Sequence, residues 1–204
     1  MAQDQLTTAR LQAFSDGVIA VIITIMVLDL KVPATQTGNL AGLHQVLPLI
    51  LVYLLSFVQV GIYWVNHHYL IDDVKQISHG ILWSNLIFLF CLSLFPFATK
   101  WVGERGISSF SVSLYAATAT LPAMSWTILS AVIRRSFHVQ PAGSPLKQVV
   151  SSALNLGAIA AAFVSPYLAL AMLSTVAALW LIPPRRIREE TCQVRSATHG
   201  EESR

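Results

Sequence analysis

The chain has 204 residues, of which 54% are hydrophobic and only 11% are charged, with a formal net charge of +3. Soluble domains carry about 25% charged residues, so this composition excludes an ordinary soluble domain. Five long intervals contain no Asp, Glu, Lys or Arg, and a membrane-spanning helix needs about 20 mainly apolar residues. We therefore predict a polytopic, all-α integral membrane protein.

The first predicted span covers about residues 9–30 and ends before Pro33, because proline cannot continue the hydrogen-bond ladder of a helix. A cleavable signal peptide consists of a basic region, a short apolar core and a cleavage site of small residues. The first residues do not follow this pattern, so no cleavable signal peptide is expected. Ionisable groups in a span usually face protein or water and mark functional pathways. The polar residues in or beside this span are Arg10, Ser15, Asp16, Thr24 and Asp29.

Three further spans follow, at about residues 46–70, 79–99 and 110–133. The second is predicted to begin near Pro48, and Pro122 predicts a kink in the fourth. Polar or glycine-containing segments predict the intervening loops, at residues 35–39, 101–109 and 134–146.

The apolar stretch from residue 148 to residue 184 is too long for one span. Its roughly 37 residues would extend about 55 Å as a helix, far beyond a hydrocarbon core of about 30 Å. Basic clusters precede and follow it, and the positive-inside rule places both in the cytoplasm, which requires an even number of crossings. We therefore predict two short spans, at about residues 149–164 and 167–182, with a turn at Pro166.

Six spans within residues 1–184 place both termini in the cytoplasm. In this topology ten basic residues lie on the cytoplasmic side and three on the external side, the bias that the positive-inside rule describes. Residues 185–204 are polar and poor in aromatic residues, which predicts a disordered cytoplasmic tail.

Catalysis by this chain would depend on the cluster of polar residues at the end of the second span. His68 and Asp72 are four residues apart and could share a metal ion, but two ligands do not make a site. No zinc motif, nucleophile elbow or phosphate-binding loop accompanies them. We therefore predict that the chain is not an enzyme and has no metal site or cofactor. The rejected catalytic group is His67, His68, Asp72 and Asp73.

A secondary transporter or proton-coupled permease is the alternative that stays open. Its relay would consist of Asp16, His67 and Asn66. Transporters often contain internal repeats with broken helices at corresponding positions. Pro122 and Pro166 interrupt spans without that symmetry, which makes this alternative the weaker one.

The first span carries a narrow apolar stripe. On a helix of 3.6 residues per turn, the positions i, i+4, i+7, i+11 and i+14 lie on one side. Gly17 and Ala20 add small surfaces where another helix can approach closely. A stripe of this kind also fits a helix that faces lipid or core. Its residues are Phe14, Val18, Val21, Ile25 and Leu28, with Thr24 on the flank.

Polar residues of the second and third spans are expected at the same membrane face as the polar start of the first. Their indole, amide and imidazole groups can form a buried hydrogen-bond network with it. An interfacial aromatic belt is the alternative, but it explains the tryptophans and not Asn66 or Asn85. The candidate motif and network residues are Arg10, Phe14, Ser15, Asp16, Trp64, Asn66, His67, Trp83 and Asn85.

The segment RLQAFSD at residues 10–16 has the pattern R-x-x-x-F-S-D. It resembles the first helix of the transmembrane protein 175 family, the lysosomal potassium channels and their bacterial relatives. WVNHH at residues 64–68, WSNL at 83–86 and LFPF at 94–97 resemble that family's second and third spans. The resemblance covers residue 10 to about residue 100, and the later spans match only in length and hydropathy.

The resemblance implies a homotetrameric, potassium-preferring cation channel in the cell membrane, with the first span of each subunit lining the pore. Its expected contacts are other copies of the chain, lipid, K⁺ and other monovalent cations, and no nucleic acid. The K⁺-channel filter sequence TVGYG does not occur in the chain, so permeant ions would pass without a ring of backbone carbonyls.

The resemblance also assigns roles along the first span. Val21 would form the pore constriction, with Ile25 and Leu28 as further apolar layers of a hydrophobic gate, and Thr24 would favour K⁺. Val21 departs from the family pattern, in which the constriction is commonly Ile or Leu. From its position alone, Asp29 is expected at the external mouth, where four carboxylates would concentrate cations.

Overall fold

The computed structural model describes residues 2–28, 40–72, 74, 76–137 and 145–181. Every regular element in these ranges is an α-helix, which confirms the all-α prediction. The predicted loop at 35–39, the tail at 185–204, Asp29 and Asp73 lie outside the described residues. The helices are α1 (Ala2–Leu28), α2 (Leu40–Asp72), α3 (His79–Ser93), α4 (Phe95–Arg105), α5 (Ser109–Phe137), α6 (Pro145–Val164) and α7 (Pro166–Leu181).

The helices are long and apolar enough for a multi-pass membrane protein. Five segments meet the length and composition of a span: Thr8–Leu28, Leu47–Asp72, His79–Arg105, Ser109–Phe137 and Leu146–Val164. The sixth predicted crossing falls on α7, whose 16 residues extend about 24 Å. That is shorter than a hydrocarbon core of about 30 Å, so a crossing by α7 needs local thinning of the bilayer and stays a prediction.

The third predicted span consists of two helices that meet at Leu94. The backbone N–H of Leu94 donates to the carbonyl of Cys91, and Pro96 in the first turn of α4 has no N–H with which to continue the ladder. α4 then runs to Arg105, and the turn falls at Gly106, whose φ of 76° is readily adopted only by glycine. The prediction of a loop from residue 101 is therefore wrong by five residues.

Other prolines lie inside helices. The second membrane segment, Leu47–Asp72, begins near Pro48 as predicted, but α2 itself begins earlier, at Leu40, and contains Pro48. A proline removes a single backbone hydrogen bond from a helix interior, and here the helix continues on both sides of it. Pro122 likewise lies within α5. The predicted turn at Pro166 does occur, between α6 and α7 at Ser165.

α5 lies at the centre of the bundle. It packs against α3, α4, α6 and α7, while α1 lies to one side against α2, α3 and α4. Three hydroxyl groups tie α2, α4 and α5 together in the apolar interior: Ser56 Oγ lies 2.7 Å from Thr99 Oγ1 and 2.9 Å from Tyr115 Oη. All three side chains are buried, and hydrogen bonding among them removes the cost of burying polar groups without partners.

The two ends of the bundle carry different basic residues. Arg10 near the start of α1, Arg134 and Arg135 near the end of α5, and Lys147 near the start of α6 occupy one end, here called the Arg10 end. Lys100 and Arg105 in α4 occupy the opposite end, here called the Arg105 end. The described part of the chain therefore keeps the basic asymmetry that the sequence predicts.

Candidate functional site

One face of α1 packs into the subunit. Leu11, Ser15, Ile19, Ile22 and Met26 are all buried, and they recur every three or four residues. This spacing keeps them on one side of a helix. Because α2, α3 and α4 cover this side, the orientation of α1 about its own axis is fixed by the packing of its own subunit.

The other face of α1 is apolar and is not covered by any described residue. Phe14 and Val21 are each 53% exposed, Ile25 is 44% exposed and Leu28 is 79% exposed. Of the predicted stripe only Val18 is half-buried, where it packs against the core. Four of the five stripe residues thus point away from the subunit to which they belong.

Small residues lie beside this stripe. Ala13, Gly17 and Ala20 are exposed and recur at three- and four-residue intervals. A Cβ atom added at Gly17 would meet nothing within 4 Å. A small, uncovered surface next to an apolar ridge is the form that membrane helices use for close association.

Thr24 lies on the exposed face, with its hydroxyl group bonded back to the helix. Its Oγ1 lies 3.0 Å from the carbonyl oxygens of both Ala20 and Val21, to which it donates. The hydroxyl proton is therefore used within α1. The lone pairs of the oxygen remain available on the side that faces away from the subunit.

Ser15 anchors the buried face of α1 through a chain of hydrogen bonds. Its hydroxyl donates to the carbonyl of Leu11 at 2.9 Å and accepts from Asn85 Nδ2 at 3.0 Å. Asn85 Oδ1 in turn lies 2.7 Å from His67 Nε2. Ser15, Asn85 and His67 are fully buried, so a short polar path joins α1, α3 and α2 in an apolar setting.

The direction of these bonds defines which ring nitrogen of His67 carries the proton. Since the Asn85 amide nitrogen donates to Ser15, its oxygen faces His67, and Nε2 must carry the proton. Nδ1 is then an acceptor, and no group among the described residues donates to it. The ring of Phe88 stacks on the imidazole, with 5.7 Å between ring centroids and 6° between planes.

A second set of bonds holds the start of α1 to the end of α2. Asp16 Oδ1 accepts from Trp64 Nε1 at 2.9 Å. One turn earlier, Gln12 Nε2 lies 2.7 Å from His68 Nδ1 and donates to Asp72 Oδ1 at 3.3 Å. These contacts are more exposed than the Ser15 path, and those of Gln12 lie closer to the Arg10 end.

Some predicted network residues lie elsewhere. The Asn66 amide donates to the carbonyl of Ile62 in its own helix, at 2.7 Å. Trp83 is 65% exposed and Phe14 points outward with the stripe. Arg10 is exposed, and Asp16 is paired with Trp64 instead. The structure thus brings together Ser15, Asp16, Trp64, His67 and Asn85.

The same geometry bears on the two alternatives. Asp16, His67 and Asn66 have three different partners and do not form one relay. His68 Nε2 lies 3.5 Å from Asp72 Oδ2, but no group of three or more metal-binding side chains occurs within the described ranges. The residues that sequence reasoning missed are Gln12, which lies one turn before Asp16 on the side that faces α2, and the Ser56–Thr99–Tyr115 cluster.

Known proteins are similar to this chain in sequence. The family model described as endosomal/lysosomal potassium channel TMEM175 matches residues 10–96. A potassium channel of Chryseobacterium sp. is 43% identical over 189 residues, which cover 90% of this chain and 97% of that protein. The human endosomal/lysosomal proton channel TMEM175 is 32% identical over 105 residues, which cover 47% of this chain and 21% of that protein.

A solved structure is also similar. The crystal structure of a lysosomal potassium-selective channel TMEM175 homolog from Chamaesiphon minutus has a TM-score of 0.72 and 28% sequence identity to this chain. The similarity covers 86% of this chain and 97% of the crystallised chain. It therefore extends beyond the residues that the family model matches.

Proposed function

Because this chain belongs to the TMEM175 family, we propose that it is a potassium-preferring cation channel whose pore is lined by α1. The similarity over most of the chain to a named potassium channel confirms the resemblance that the R-x-x-x-F-S-D motif indicated. The observation that supports α1 as the pore helix is its exposed face. Val21, Ile25 and Leu28 are uncovered, although the opposite face of the same helix is buried and hydrogen-bonded.

The proposed assembly is a homotetramer with α1 nearest the axis. Four copies would bring the exposed stripes together, and the small surface at Ala13, Gly17 and Ala20 lets neighbouring helices approach. Closed cyclic symmetry gives every subunit the same contacts and leaves no stripe uncovered. The partners are therefore other copies of the chain, the surrounding lipid and the permeant cations.

The proposed gate is hydrophobic. Rings of Val21, Ile25 and Leu28 from four subunits would form a constriction that closes by expelling water, as apolar constrictions do in other channels. Val21 is the narrowest ring in this proposal, with Ile25 and Leu28 one and two turns further along. Because valine is smaller than the Ile or Leu common in the family, closure at this ring is expected to be less tight.

The Ser15–Asn85–His67 path and the Asp16–Trp64 bond serve the gate by fixing α1. A rotation of α1 about its axis would carry Val21 away from the pore and would also break the bond between Ser15 and Asn85. The network thereby holds the apolar rings in register, and it is the proposed role of the motif residues in this chain.

The proposed location is the cell membrane, with the Arg10 end in the cytoplasm. Four basic residues at that end against two at the other, among those described, follow the positive-inside rule. This orientation places both termini in the cytoplasm and directs Asp29 to the external mouth, where it would attract cations. Passive conduction needs no enzymatic step and no cofactor beyond the permeant K⁺ ions.

Flux from proteoliposomes tests the proposal. Purified protein in vesicles with a K⁺ gradient is expected to pass current that reverses near the K⁺ Nernst potential, with single-channel events. Strict dependence of K⁺ movement on a proton gradient, or the absence of single-channel events, would favour the transporter alternative instead.

The same assay tests the role of Thr24. Thr24→Val keeps the shape of the side chain and removes the hydroxyl oxygen, so the reversal potential under opposing K⁺ and Na⁺ is expected to move toward that of Na⁺. Conduction itself should persist. Thr24→Ser keeps the hydroxyl group and is expected to retain the preference for K⁺; an equal loss in both variants would contradict a role for the oxygen.

Gly17→Leu tests the assembly. A side chain at this position meets no atom of its own subunit within 4 Å, so the subunit is expected to fold while the tetramer dissociates. Mass photometry or crosslinking in mild detergent measures the change. Ala153→Leu, on an exposed position of α6, is the matched control and should remain tetrameric. A stable Gly17→Leu tetramer would place α1 away from the axis.

A further inference from the structure

A cavity lies inside the subunit, away from the proposed pore. It has a volume of about 60 Å³ and is bounded by α2, α5, α6 and α7, and no residue of α1 lines it. A site of about 10–15 Å³ of this kind of space holds one water molecule, so the cavity can accept roughly four waters or a molecule of similar size. It extends along eight residues of each of two helices, from Gln59 to Asn66 and from Asn155 to Gln148, about 10 Å toward the Arg10 end.

Two carboxamide groups at the inner end of this cavity have no side-chain hydrogen-bond partner among the described residues. Gln59 is 7% exposed and Asn155 is 4% exposed, and both line the cavity. No other described residue forms a hydrogen bond with either side-chain amide; only the backbone carbonyl of Asn155 is bonded, to Thr120 at 3.4 Å. Each amide offers both a donor and an acceptor.

The remaining lining is aliphatic, aromatic or polar, and none of its described side chains is charged. Trp180 Nε1 donates to Ser151 Oγ at 2.8 Å, and Tyr63 and Trp126 form an aromatic wall with 6.3 Å between their ring centroids. Among the described residues, no Asp, Glu, Lys, Arg or His lines the cavity. The nearest charge in sequence, Lys147, lies over the ring of Trp180, with 4.7 Å from Nζ to the centroid.

These features define the chemistry of the occupant. A charged group would leave water without gaining an opposite charge, which is strongly unfavourable. A purely apolar molecule would leave both amides without partners. A small uncharged group that both donates and accepts hydrogen bonds satisfies Gln59 and Asn155, and its carbon atoms can contact Tyr63 and Trp126.

We propose that this cavity is a binding site for a small uncharged alcohol or amide group, held by Gln59 and Asn155. Such a group belongs either to a free solute or to the head of a neutral lipid such as a diacylglycerol. Because the cavity extends toward one end of the bundle, a lipid head can enter it from the level of the membrane surface. The site is independent of the channel function proposed above, since it lies within one subunit.

Tryptophan quenching in the purified full-length protein tests the site. 2-Bromoethanol carries one hydroxyl group, and its bromine quenches indole fluorescence at contact. Trp126 and Trp180 line the cavity, so a saturable component of quenching is expected in addition to the linear component from partitioning into detergent. Linear quenching alone would show that the cavity holds only water, and would overturn the proposal.

Matched variants test whether the saturable component of quenching depends on the two amides. Asn155→Leu and Gln59→Met each remove one amide at nearly constant volume, and each is expected to raise the half-saturating concentration about threefold to tenfold, the equivalent of one hydrogen bond. Gln76→Leu makes a comparable change at an exposed position outside the cavity and should have no effect. Circular dichroism and elution volume establish that each variant is folded. An unchanged saturable component in folded Asn155→Leu and Gln59→Met would refute the assignment.

Competition in the unmodified protein tests the charge requirement without any variant. Acetamide is expected to displace 2-bromoethanol, while acetate, which is similar in size but charged, is not. Equal displacement by both would contradict an uncharged site. Dioctanoylglycerol separates the two sources: displacement at a lower concentration than acetamide identifies a lipid head group, displacement by acetamide alone identifies a free solute, and displacement by neither refutes the proposal.

Discussion

Val21→Asn is expected to raise the resting K⁺ leak of reconstituted protein about tenfold or more. A hydrophobic gate closes because water and ions leave an apolar constriction, and four carboxamides at the narrowest ring would keep it hydrated. A barrier lowered by about 1.4 kcal/mol raises the rate of passage about tenfold. The measurement is K⁺ efflux from proteoliposomes at zero voltage, normalised to the amount of inserted protein.

Val27→Asn is the matched control for this prediction. Val27 is 47% exposed, close to the 53% of Val21, and lies on the same helix about 120° around its axis. The same substitution there should leave the leak unchanged, because Val27 does not share the stripe. If both variants leak equally, the effect comes from a damaged helix; if Ile25→Asn leaks and Val21→Asn does not, the gate is one turn further along.

Asn85→Leu is expected to destabilise the subunit and weaken the proposed tetramer. The change removes the acceptor for His67 Nε2 and the donor to Ser15 at once. Each buried polar group left without a partner costs about 1–3 kcal/mol, so the free energy of unfolding should fall by about 2 kcal/mol or more. Thermal unfolding in detergent, followed by the loss of the tetramer peak in size-exclusion chromatography, measures the effect.

Asn66→Leu provides the comparison. Its amide bonds only to the carbonyl of Ile62 in the same helix, and an amide whose partner already has an intrahelical bond loses little when removed. We expect less than half the destabilisation of Asn85→Leu. Equal losses of stability would indicate that the path from α1 to α2 through Asn85 contributes nothing beyond a single buried amide.

The sequence predicts the two-sided character of α1 because helical periodicity is a local property. Phe14, Val21, Ile25 and Leu28 fall on one side by spacing alone, and the structure places that side outward. The spacing does not say whether the outward side meets lipid, a second copy or an axis. That choice depends on the assembly, which a single chain does not contain.

The pairing within the network was harder to predict than its membership. The predicted network groups Arg10, Ser15 and Asp16 with Trp64, His67 and Asn85 without assigning pairs, and the structure pairs Asp16 with Trp64. Residues on three helices meet only when crossing angles and side-chain directions are fixed, and these depend on tertiary packing. The contact between Gln12 and Asp72 was not predicted for the same reason, because it joins residues that are 60 positions apart in the sequence.

The prolines show a second limit on what the sequence alone predicts, namely where a helix breaks. Pro48 and Pro96 look alike in an apolar sequence, but only Pro96 lies at a break between helices. A missing backbone donor costs one hydrogen bond in either case, and the surrounding packing decides whether the helix bends, breaks or continues. Gln59 and Asn155 also gave no signal, because a single amide in an apolar span has no periodicity to interpret.

The break at Leu94 separates the support of α1 into two parts. α1 and α3 both begin at the Arg10 end, so α3, through Asn85, holds the early turns of α1, while α4 lies alongside its later turns. Val21, Ile25 and Leu28 belong to those later turns. A shift of α4 relative to α3 would therefore act on the proposed gate residues and not on the bond between Ser15 and Asn85. The third span thus contacts the proposed pore helix through two separate helices, α3 and α4, rather than through one continuous helix.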